Sequence, residues 1–169
     1  MIFKIFSQQN IEKYIGDQPY VLISIAGKHP DGSHGFAELL ADPNRMDVLQ
    51  LTFDDVSDNK DWEGNIDPDI IPFNESHARD IIDFTEYYED NIDLICVNCY
   101  AGISRSSGVA SALSVIRNGS RSDNWIWDSP KYYPNYLVYK TLLKVWQDNW
   151  TDDDEESLKA KLHEKGITV

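Results

Sequence analysis

Residues 94–106 read Leu-Ile-Cys-Val-Asn-Cys-Tyr-Ala-Gly-Ile-Ser-Arg-Ser. An apolar run ends at Cys99, a short polar loop follows, and Arg105 stands six positions beyond the cysteine. A thiol and a guanidinium at that spacing, across a strand-to-helix turn, could hold a phosphate and attack it. A phosphate monoester dianion needs several donors aimed inward, and the backbone N–H groups of a turn that opens a helix supply them. Tyr100, Ala101, Gly102, Ile103 and Ser104 would form this cradle, with Gly102 permitting the unusual dihedrals of such a nest. Arg105 adds a planar fork able to grip two oxygens. The same donors favour the thiolate form of Cys99, the nucleophile. Ser106 would donate to the sulfur and help it depart from phosphocysteine.

Attack on a phosphate ester also requires an acid for the leaving oxygen, and later a base for water. Asp54 and Asp55 follow an apolar run at 47–53. Strand ends of this kind converge on ligands in open α/β sheets. Asp55 is favoured over Asp54 as the acid. The competing reading makes both of them turn residues.

The elements that must position these groups follow from apolar patterning. Runs at 2–6, 20–26, 47–53 and 93–98 read as strands, and the unbroken run 20–26 suits a strand buried on both faces of a parallel sheet. Helices are expected from Asn10 to Ile15, at the turn 36–40, from Asn74 to about Glu89, over 104–117 with Gly119 as terminator, over 137–150 after Pro134 and Asn135, and after Thr151. The last begins with an acidic turn, as the helix dipole favours, and stops at Gly166. Gly108 and its small neighbours should let the 104–117 helix sit close to the sheet. Residues 57–72 and 120–133 read as irregular loops. Alternation of strands and helices predicts one α/β domain over 1–169, with a mostly parallel central sheet flanked by helices on both faces.

The loop 99–106 resembles the C-x5-R-S/T signature of protein tyrosine and dual-specificity phosphatases. Ala101-Gly102 and the serine after Arg105 resemble the dual-specificity branch. Phe53-Asp54-Asp55 lies upstream, where that family carries its acid loop. Tyr133-Pro134-Asn135 resembles the Pro-Asn that opens a later helix in many members. The pattern, similar to small bacterial and phage members, spans 20 to about 150. It implies a phosphotyrosine protein phosphatase-like fold, a phosphorylated protein as substrate, a phosphocysteine intermediate, and no metal or cofactor. Phosphotyrosine is expected first, with phosphoserine and phosphothreonine as further substrates. The family usually places His before the nucleophile, where it locks the loop and tunes the thiol. This chain has Asn98, which keeps hydrogen-bonding groups but motivates a second reading, a phosphopeptide-binding pseudophosphatase.

Other readings are weaker. Cys96 and Cys99 spell C-x-x-C, but zinc would need two further ligands and no nearby His or Cys offers them. On an extended strand the two lie about 10 Å apart, too far for a disulfide. Cys96 reads as a core residue. The histidines His29, His34, His77 and His163 read as solvated surface positions, and Trp62, Trp125 and Trp127 as packing residues. Low-molecular-weight phosphatases and arsenate reductases share a similar loop but carry it near the N-terminus. Phosphoinositide phosphatases of the superfamily usually place lysines in the loop, and residues 100–104 supply none. The formal net charge of −14 argues against nucleic acid and anionic membranes as partners, and so against an RNA 5′-triphosphatase. No secretory signal or membrane-length apolar run is read from the sequence. Two cysteines make no disulfide framework, so a reducing cytoplasm is expected.

Overall fold

The run 20–26 is buried at every position, as a strand covered on both faces must be. In the computed structural model, which describes residues 1–27, 35–57, 65, 67–147, 150–164 and 166, it forms β2 (Tyr20–Ala26) of a four-stranded sheet. The others are β1 (Ile2–Ser7), β3 (Arg45–Thr52) and β4 (Leu94–Cys99), in the spatial order β1-β4-β2-β3. Every pairing is parallel, so the architecture is α/β with all four strand C-termini at one edge. His29, His34 and Trp62 lie outside the described residues.

The helices are α1 (Gln8–Ile11), α2 (Glu75–Tyr88), α3 (Arg105–Asn118), α4 (Asn124–Trp127), α5 (Tyr136–Trp146) and α6 (Asp152–Glu164). Strand residues alternate between two apolar clusters, as a period of two requires. Val21, Ile23, Ile95 and Val97 join Ile81, Val109 and Leu113 on the face carrying α2 and α3. Leu22, Leu94 and Cys96 join Ile11 and Ala37 on the other. Among the described residues, this second face carries only the single turn α1, with irregular chain at Ala37 and Leu39. The expected helical cover of both faces is therefore uneven.

Several expectations at the element ends are corrected. Ser7, at the end of β1, caps α1 by accepting from Asn10 N–H at 3.3 Å. The helix is consequently four residues long and starts before Asn10. Residues 36–40 have no helical turn. β3 begins at Arg45 rather than Asp47, because Tyr20 pairs with Arg45 across a register irregularity. α3 packs on α5 as well as the sheet: a Cβ on Gly108 would lie 2.9 Å from Asn135 O. α5 stops at Trp146, where Gln147 turns extended. Asn74 caps α2 as expected, and His77 completes a capping box with it. His77 is half-buried beside Phe53 and Phe73, with ring centroids 5.5 and 5.6 Å away. Burial lowers its pKa, so it is no solvated surface residue.

The aromatic segment 120–133 contains the short helix α4 because of Asp123, a fully buried carboxylate. Its Oδ2 accepts from Trp127 Nε1 at 2.7 Å, Tyr139 Oη at 2.8 Å and Lys161 Nζ at 2.8 Å. One oxygen thus gathers α4, α5 and α6. No helix among the described residues is long and apolar enough to cross a membrane. Replacing Asp123 by Ala strands the buried Trp127 and Tyr139 donors, and the expected loss of unfolding free energy is about 3 kcal/mol, since each unsatisfied buried donor costs about 1–3 kcal/mol. Urea titration reads this, and an unchanged midpoint would contradict the assigned role.

Candidate functional site

The strand β4 ends at Cys99 and α3 starts at Arg105, so residues 100–104 span a strand end and a helix start. Gly102 has φ +70°, and a Cβ there would lie 2.5 Å from Ser7 N and 2.6 Å from the Phe6 carbonyl carbon. Backbone conformation and the end of β1 both exclude a side chain. Gln8 N–H donates to Tyr100 O at 3.1 Å, which fastens the loop to the β1–α1 junction. Tyr100, Ala101 and Ile103 are exposed, Gly102 is buried and Ser104 is half-buried.

Ser104 occupies the N-cap position of α3 but makes no capping bond. The Ser104 side chain thus does not occupy the first amides of this 14-residue helix, and amides and dipole at a helix start suit an anion. Next to them, Cys99 Sγ and Ser106 Oγ are 3.1 Å apart, both buried, and either can donate. Arg105 is 6% exposed. Its Nη1 donates to Phe53 O at 2.8 Å and Ala26 O at 3.2 Å. Among the described residues, its buried Nε has no partner. A buried guanidinium N–H without an acceptor is costly, and an oxyanion would satisfy it. Gly27 makes room for the arrangement: a Cβ there would meet Arg105 Nη1 and Phe53 O, each at 2.5 Å.

The neighbouring aspartates separate. Asp54 is buried; its N–H donates to Ile71 O at 2.7 Å and its Oδ2 accepts from Ile71 N–H at 2.9 Å. Asp55 is exposed, and its Oδ1 accepts from Ser104 Oγ at 2.7 Å and from Asn135 Nδ2 at 2.9 Å. The Ser104 contact bonds Asp55 to the cysteine loop. Asn98 faces the opposite side of β4 from Cys99. Among the described residues its buried Oδ1 has no partner, nor has the Oγ of Ser24, its register neighbour on β2.

No protein-family model and no curated protein matches this chain. The geometry rests on the residues themselves: a thiol at a strand end, a hydroxyl within hydrogen-bond reach, an uncapped helix N-terminus, an anchored guanidinium, and a carboxylate tied to the loop. Such a set can bind a tetrahedral oxyanion and carry out nucleophilic substitution on it. Among the described residues, no group of three or more His, Cys, Asp or Glu side chains could hold a metal. Sequence patterning did not single out the carbonyls of Ala26 and Phe53. It read Asn135 only as a helix start. Nothing local marks a carbonyl as an arginine anchor.

Cys96 belongs to the second apolar cluster while Cys99 belongs to the first, so the C-x-x-C pair straddles the sheet. Burial pushes the Cys96 thiol up to about 12. At neutral pH Cys96 should remain unlabelled by iodoacetamide until the chain unfolds. Mass spectrometry of the native protein locates the label, and rapid native alkylation of Cys96 would contradict its placement.

Proposed function

We propose that the chain is a cysteine-dependent phosphoric monoester hydrolase acting on phosphorylated proteins, with a phosphotyrosine protein phosphatase-like fold. The observation that carries this reading is Arg105, anchored through Nη1 with its buried Nε unpartnered, at the turn that also bears Cys99 and Ser106. Cys99 Sγ attacks phosphorus in line as the ester P–O bond breaks. Arg105 and the amides of Tyr100, Ala101, Gly102, Ile103 and Ser104 stabilise the equatorial oxygens. Asp55 gives its proton to the leaving oxygen. Its carboxylate then takes a proton from the water that attacks phosphocysteine. The P–S bond breaks, Ser106 donates to the departing sulfur, and inorganic phosphate leaves. This cycle consumes one water per ester and requires a reduced thiol, which suits a reducing cytoplasm.

A second reading, a phosphopeptide-binding pseudophosphatase, draws on Asn98, whose buried Oδ1 has no partner among the described residues. Turnover of an aryl phosphate by the wild-type protein, abolished in Cys99→Ser, supports the enzyme. Phosphopeptide binding without turnover would support the pseudophosphatase instead.

The acid assignment gives a sharper expectation. Asp55→Ala should lower turnover about 100-fold or more, the usual contribution of a placed general acid. Asp54→Ala should act mainly on stability, through the lost bond from Ile71. Steady-state kinetics and thermal melts of both variants separate the roles, and the reverse pattern would reassign the acid. Vanadate should inhibit the wild-type protein competitively and occupy the 99–105 loop in a soaked crystal; an empty or collapsed loop would count against the phosphate site.

A further inference from the structure

Asn135 uses the two ends of its side chain for two different tasks. Its Oδ1 caps α5 by accepting from Val138 N–H at 3.1 Å. Its Nδ2 donates to Asp55 Oδ1 at 2.9 Å. The reverse amide orientation would set Nδ2 against the Val138 N–H, donor against donor, so the helix cap itself decides which end faces the aspartate. The backbone adds a third tie, because Asn135 N–H donates to Ser104 O at 3.1 Å. Ser104 in turn donates through Oγ to the same Asp55 Oδ1 at 2.7 Å. Asp55, Ser104 and Asn135 thus close a ring that joins the end of β3, the cysteine loop and the start of α5.

We propose that Asn135 is a positioning residue for Asp55: it holds Oδ1 as the accepting oxygen and leaves Oδ2 to carry the proton. This rests on the reading of Asp55 as the general acid. Two donors converge on Oδ1, and an oxygen already accepting two hydrogen bonds is the poorer place for a proton. Asp55 is exposed, so an untethered carboxylate would sample several rotamers. Proton transfer demands a heavy-atom separation of about 2.6–3.2 Å. The tether keeps Oδ1 on the loop and leaves Oδ2 as the oxygen to meet a leaving group.

The test exploits the divided role. Asn135→Ser keeps an oxygen able to cap α5 and keeps the backbone bond to Ser104, but removes the Nδ2 donor. Asn135→Asp also keeps the cap and turns a carboxylate on Asp55. The readout is kcat/KM, which covers steps up to phosphocysteine formation, where Asp55 acts as acid. Two aryl phosphates are compared: phenyl phosphate, whose leaving group needs a proton, and one releasing a strongly acidic phenol. Both variants should lose about tenfold or more on phenyl phosphate but less than about threefold on the second, a smaller version of the Asp55→Ala pattern. Equal losses on both substrates, or wild-type values on phenyl phosphate while Asp55→Ala is impaired, would overturn the positioning role alone. If Asp55→Ala itself keeps the wild-type leaving-group dependence, the acid assignment falls and the positioning role falls with it.

Discussion

The guanidinium of Arg105 bridges the ends of two strands through one nitrogen, and much of the molecule is arranged to allow it. Nη1 donates to the last carbonyl of β2, at Ala26, and to that of Phe53, just past β3. Those carbonyls lie together because β2 and β3 run parallel to their ends, with Phe53 N–H donating to Ala26 O at 3.1 Å. Phe53 is fully buried against Phe73, ring centroids 4.8 Å apart, and His77 packs beside both. The capping box of α2 is therefore part of the support for the arginine. Gly27 leaves the space that the guanidinium occupies. A buried cation is tolerated only where dipoles or opposite charge meet it. Two carbonyls meet one nitrogen here, and the unpartnered Nε leaves the rest of that demand for an anion.

The same strand ends explain how adjacent residues of one type acquire different surroundings. Asp54 lies against the returning chain at Ile71 and is buried. Asp55 meets the cysteine loop and the start of α5. Along β4, Cys96 and Cys99 face opposite apolar clusters for the related reason that strand side chains alternate. In both pairs the covalent neighbourhood is nearly the same and the environment is set by direction.

Support extends well beyond the loop. α5 contributes both Asn135 at its start and Tyr139 one turn later. Tyr139 Oη donates to the buried Asp123, which also holds Trp127 and Lys161. The polar knot that joins α4 and α6 to α5 therefore helps decide where Asn135 stands, and with it the carboxylate of Asp55. Packing at Gly108 brings that helix end against α3.

Composition and spacing alone determined the α/β class, the core strands and the identity of the loop residues. Buried parallel strands are continuous apolar runs, and a cysteine and an arginine six apart are visible without coordinates. The capped helix after Asn74 and the helix breaker at Gly119 were legible too, since caps and terminators act within a few residues of the elements they end. What only the tertiary structure decided depends on contacts distant in sequence. Ala26 and Phe53 reach Arg105 across 79 and 52 positions, and Asn135 reaches Asp55 across 80. Helix α4 forms around a carboxylate whose partners beyond α4 lie on two later helices, and His77 is half-buried because two phenylalanines pack beside it. Apolar pattern records which residues turn inward; it does not record which carbonyl or carboxylate they will find there, because that follows from strand order and helix packing.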